Sequence, residues 1–143
     1  MASRRKGRIL AFQALYAWDA VNARAGAIPE GLLDFPWQDK GTGDDFSRLL
    51  VVGTVENISA VDSVIKDHLE NWDFSRLNRV DLAILRISAY ALMYQKDTPA
   101  PVVINEAVGI AREFGTDESF RFINGVLDSI HKALTQAGAA PEQ

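Results

Sequence analysis

Val80-Asp81-Leu82-Ala83-Ile84-Leu85-Arg86-Ile87-Ser88-Ala89-Tyr90-Ala91-Leu92-Met93-Tyr94 is apolar nearly all the way round a helix. Such a segment is stable in water only as a central helix buried on most faces by other helices. Arg86 interrupts it and needs a carboxylate or carbonyl partner, because an unpaired buried charge is costly. Asp128 is the partner expected from the sequence.

Outward from that segment, helical spacing continues in both directions. Thr98-Pro99-Ala100-Pro101 breaks the chain and starts a helix over Val102 to Phe114, with Gly115 as a left-handed C-terminal cap. Thr116 or Asp117 caps a last helix running to about Leu134 on Phe120, Ile123, Val126, Leu127, Ile130 and Leu134. On the N-terminal side, Asp44 opens a long pattern through Phe46, Leu49, Leu50, Ile58, Val61, Ile65 and Leu69. This is one helix, or two broken near Gly53. A first helix, capped by Ser3, runs from about Arg4 to about Arg24. Residues 25–43 hold four glycines and two prolines and read as a loop anchored by Phe35 and Trp37. No period-2 strand appears. The fold class is all-α, about six to seven helices, in one domain over residues 1–135 with a frayed tail at 136–143.

Composition narrows the function. The 143 residues suit one compact domain, and no apolar run is long enough to span a membrane. The interrupted apolar stretch after Arg8 does not suit a secretion signal, so the cytoplasm is the expected location. Cysteine is absent, which removes disulfides, thiol nucleophiles and Cys-type metal sites. His68 and His131 read as exposed helical histidines. Asp44-Asp45 read as partners of a helix dipole rather than as a cation site. Lys40-Gly41-Thr42-Gly43 has the letters of a phosphate loop in the wrong order, and no other catalytic motif occurs. Neither a catalytic residue, a metal site nor a cofactor is expected.

Charge is more telling. The chain has 15 basic and 19 acidic residues, and Arg4, Arg5, Lys6 and Arg8 place four of the basic ones in the first eight positions. What remains is 11 basic against 19 acidic, a net of −8 for the other residues. A basic helix start on an acidic body suits a local polyanion contact. Guanidinium forks match phosphate oxygens, and the nearby Gln13 and Tyr16 suit unpaired bases. A solvated basic terminus that binds nothing remains the alternative, as does an anionic membrane surface with Tyr16 and Trp18 at headgroup level.

Ordered blocks of sequence then add a resemblance. Arg4-Arg5-Lys6-Gly7-Arg8-Ile9-Leu10-Ala11-Phe12-Gln13-Ala14-Leu15-Tyr16 resembles the opening helix of the NusB family of bacterial transcription antitermination factors. Asp81-Leu82-Ala83-Ile84-Leu85-Arg86 resembles its central helix. Val103-Ile104-Asn105-Glu106-Ala107-Val108, Phe114-Gly115, Ser119 and Phe122-Ile123-Asn124-Gly125-Val126-Leu127-Asp128 follow in the family's order and cover most of the chain. The resemblance implies two small helical bundles and binding to the boxA element of nascent ribosomal RNA. It also implies a partner, the small-subunit ribosomal protein NusE, and work within an antitermination complex on RNA polymerase. It carries RNA contacts onto Arg4, Arg5, Lys6 and Arg8, and onto Gln13, Tyr16, Glu118 and Phe122.

A related helical module precedes the catalytic domain of certain ribosomal RNA cytosine methyltransferases, so an RNA-binding role without catalysis is the alternative. Several positions depart from the family's habit. Gly7 stands where alanine is common and is expected to fray the basic turn. Leu82, Ala91 and Gly109 replace frequent charged residues on the side expected to meet NusE, and Leu82 would extend an apolar patch suited to a homodimer. Asn105 and Asn124 are expected to be buried amides at helix junctions.

Overall fold

The computed structural model describes residues 4–20, 44–70 and 72–139. Within them lie six helices and no strand: α1 (Arg4–Ala20), α2 (Asp44–Glu56), α3 (Ile58–Asp67), α4 (Arg79–Tyr94), α5 (Ala100–Phe114) and α6 (Ser119–Ala139), with a 3₁₀ turn at Phe74–Arg76. The expected loop at 25–43, the Ser3 cap, the stretch from 21 to Arg24, the Lys40–Gly43 motif and the last residues of the tail lie outside the described residues.

Helix α4 is central, as its sequence requires: it packs against all five other helices, and its residues from Asp81 to Ala89 are buried without a gap. Asn78 caps it, with Oδ1 accepting from the Asp81 backbone N–H at 2.8 Å. The α1–α2 and α5–α6 pairs pack on α4, and Phe12, Leu15, Leu50, Ile110, Ile123 and Leu127 are buried in the one hydrophobic cluster they share with it.

Several boundaries differ from expectation. The long pattern breaks at Asn57, not Gly53. Asn57 caps its predecessor, its backbone N–H and Nδ2 both donating to Gly53 O, at 3.1 and 2.8 Å. Gly53 is instead a contact glycine, where a Cβ would overlap the Tyr90 hydroxyl. Gly115 is not left-handed: its φ of −94° and ψ of −169° are extended backbone. It is small because a Cβ would come within 2.6 Å of the Ser119 side chain and 2.8 Å of Ala111 O. Neither Thr116 nor Asp117 caps α6 by its own side chain in any bond seen. Ser119 Oγ accepts from the Thr116 N–H at 2.9 Å, closing the turn in the other direction. Helix α6 continues to Ala139, so it takes in residues 136–139 of the expected tail.

The buried arginine finds carboxylates, though not Asp128. Arg86 Nε and Nη2 donate to Asp62 Oδ1 and Oδ2, each at 2.9 Å, and Asp19 lies 3.6 Å from Nη1. Asp128 faces the other way and pairs with Lys132 one turn along α6 at 3.1 Å. Asn105 and Asn124, expected inside, are exposed. An amide in an apolar stretch can sit at the stripe's edge, and both do. His68 is half-buried rather than exposed, with Nδ1 2.7 Å from Ser129 Oγ; His131 is half-buried too, beside Thr135.

Candidate nucleic-acid interface

The basic start of α1 does not present four equivalent cations. Gly7 is buried in the helix, not frayed: its carbonyl accepts from Ser47 Oγ at 2.8 Å, and a Cβ would stand 2.7 Å from Phe46 Cδ2. The missing side chain lets α1 and α2 approach closely, which brings Phe46 under the arginines. Arg4 lies over the Phe46 ring at 4.2 Å and Arg8 at 5.2 Å.

Arg8 is 8% exposed. Burial lowers its pKa from the usual arginine value, Glu106 opposes that shift and Arg4 adds to it. Arg5 turns onto α5, with Nη1 3.4 Å from Glu106 Oε1 and Nη2 4.0 Å from Glu113 Oε1. Arg4, Arg5 and Lys6 are all exposed, so Arg5 is held by its two carboxylates and not by burial.

Two turns further along α1, Gln13 is exposed and Tyr16 is 39% exposed while its neighbour Trp18 is buried. A buried Trp18 cannot sit at lipid headgroups, which removes the membrane alternative as it was drawn. Tyr16 forms one wall of an open groove of about 400 Å³, completed by Asn78, Arg79, Val80, Phe114, Gly115 and Thr116. Phe114 is fixed there by Phe12, with ring centroids 5.3 Å apart. Arg79 is exposed, and its Nη1 donates to Asp19 O at 3.1 Å, which holds the guanidinium near the Tyr16 end of α1. Asn78 is occupied as the α4 cap. Glu118 follows two residues after Thr116 and is exposed, so it offers an acceptor and no phosphate contact.

One turn on, Phe122 is half-buried against Trp72, with centroids 5.1 Å apart, and Trp72 is 56% exposed. Arg79, Phe114 and Trp72 join this candidate surface in the structure but were not singled out for it in the sequence. A tryptophan in the polar stretch 71–78 was the one available signal.

Among the described residues no group of three or more His, Asp or Glu side chains is placed to hold a metal ion, and no helix is long and apolar enough to cross a membrane. Leu82 and Ala91 are buried, at 8% and 4%, so neither enlarges an exposed patch.

The arrangement offers cations for phosphate, exposed aromatic faces for stacking and acceptors for base edges. The NusB family model matches residues 5–132. The transcription antitermination protein NusB of Treponema denticola is 54% identical over 132 residues, covering 89% of this chain and 94% of that protein. Among solved structures, T. maritima NusB has a TM-score of 0.80 at 33% identity, covering 92% of this chain and 93% of its own. A chain of the crystal structure of antitermination factors NusB and NusE in complex with dsRNA has a TM-score of 0.78 at 28% identity, covering 91% and 96%.

Proposed function

The chain belongs to the NusB family, and from that premise we propose that it is a non-catalytic, RNA-binding transcription antitermination factor. It binds boxA of nascent ribosomal RNA together with NusE in the cytoplasm and acts within a complex on elongating RNA polymerase. The observation that carries the reading is the Tyr16 groove, where an exposed aromatic and Arg79 stand about three turns along α1 from its exposed cations. The similarity to a chain solved with NusE and RNA supports it.

The site residues then divide by role. Arg4, Lys6 and Arg79 meet the phosphate backbone. Gln13, Tyr16, Glu118 and Phe122 face bases, with Trp72 continuing the aromatic surface from Phe122. Arg8 supports the site from beneath by holding α1 against Phe46. Self-association loses the argument drawn from Leu82, because that side chain is buried.

Backbone contacts position and base contacts specify. Lys6→Ala should therefore weaken binding to boxA and scrambled RNA by the same factor. Tyr16→Ala should narrow the gap between them, at a cost of ~1–3 kcal/mol on boxA. Fluorescence anisotropy measures both, and identical behaviour of the two variants would refute the division of roles.

A further inference from the structure

Arg5 lies in a seat made by the absence of a side chain. A Cβ built on Gly109 would stand 2.7 Å from Arg5 Nη1, 2.9 Å from Nη2 and 3.2 Å from Cζ, so the guanidinium rests against the α5 backbone. Glu106 and Glu113 flank that notch, one turn before and one turn after, and both reach Arg5. One guanidinium between two carboxylates is a group of net charge −1. A phosphate brought to Arg5 has to settle within a few ångströms of both acids, and its repulsion from them offsets its attraction to the arginine.

We propose that Gly109 is a positioning residue for RNA binding: it seats Arg5 on α5 and withholds that arginine from the phosphate backbone. This inference rests on the RNA-binding reading above. It sets the strength of the basic helix rather than its presence, because Arg4 and Lys6 are exposed beside a neutralised Arg5. The Glu113 carboxylate, 55% exposed, is the end of the seat that a single substitution can open without touching Arg8's surroundings.

The test is anisotropy of a fluorescent boxA oligonucleotide with the full chain, titrated across salt concentrations. Arg5→Ala in the wild-type protein should change affinity by less than about twofold. Gly109→Ala should raise affinity about two- to fivefold at low salt, the scale of two exposed ion pairs. It should also steepen the salt slope by about 0.7, one added phosphate contact. Adding Arg5→Ala to Gly109→Ala should abolish both gains, which a general gain in helix stability would not do. Glu113→Gln should move affinity in the same direction as Gly109→Ala. Wild-type protein that binds boxA with Gly109→Ala unchanged in affinity and slope overturns the seat and leaves the RNA-binding reading standing. A wild-type loss of tenfold or more on Arg5→Ala overturns it too. No RNA binding by any of these proteins overturns both.

Discussion

Replacing Asp62 with alanine strips Arg86 of its two charge-assisted hydrogen bonds while leaving the guanidinium inside the protein. Arg86 is 9% exposed at its side chain and Asp62 18%, so little water reaches the vacated position. Hydrogen bonds to charged groups contribute ~1.5–3 kcal/mol each, and breaking a buried pair from one side typically costs ~3–5 kcal/mol. Two features reduce that figure. Asp19 remains 3.6 Å from Nη1, too far for a hydrogen bond but close enough to oppose the charge. The Trp18 and Phe74 ring centroids, 5.7 and 5.9 Å from Cζ, also remain. The expected loss is about 3 kcal/mol, near the lower end of the range for one-sided removal.

Urea unfolding followed by far-ultraviolet circular dichroism measures it, since urea does not screen the charges as guanidinium chloride does. With a slope of ~2 kcal/mol/M, the midpoint should fall by roughly 1.5 M. The double variant Asp62→Leu/Arg86→Met should recover much of the loss suffered by Asp62→Leu alone, because it removes the stranded charge with its partner. A loss below ~1 kcal/mol for Asp62→Ala, or a double variant less stable than the single one, would refute the reasoning.

Three other predictions follow from single contacts. Gly53→Ala places a methyl where the Tyr90 hydroxyl lies, so it should cost ~1–3 kcal/mol despite the better helix former; equal or greater stability in urea would contradict the contact. Gly7→Ala should fail to deliver the ~1 kcal/mol that helix propensity promises, because Phe46 must move from its 2.7 Å approach; thermal unfolding of the two proteins decides it. Burial raises the Tyr90 phenol pKa, with Glu56 and Tyr94 adding to the shift. A raised folded value means that the neutral phenol's contribution to stability is complete below the unfolded value of ~10 and is lost as pH climbs through the higher folded one. The wild-type protein should therefore lose stability above pH ~10 more steeply than Tyr90→Phe, and parallel pH profiles of the two would contradict this.

The fold was legible where a single helix carries its own answer. Val80–Tyr94 is apolar all round, and no arrangement but a central one buries it. Pro99, Pro101 and Gly115 mark ends that the structure places within two residues of the reading. Periodicity fixes a residue's place on its own helix and says nothing about which neighbour arrives. Arg86 was recognisable as needing a carboxylate, yet Asp62 and Asp19 are chosen by the crossing of α3 and α1 over α4. Asn105 and Asn124 have an apolar context in sequence and an exposed position in space for the same reason. In the candidate site, Arg4 to Arg8 were visible as a cluster, but Phe46 buries one of them and Gly109 seats another. Both effects depend on glycines whose role is an approach between helices, which no local pattern announces.

We propose specific RNA recognition by the α1 cations and the Tyr16 groove, strengthened by NusE. The most direct test is anisotropy with boxA and scrambled oligonucleotides across salt concentrations, with and without NusE. Arg4, Lys6 and Arg79 predict a slope of log affinity on log salt of about −2 for single-stranded RNA. A preference for boxA should accompany it and grow when NusE is added. Equal binding to both RNAs, unchanged by NusE, would contradict the account and leave α1 as a basic helix without a specific ligand.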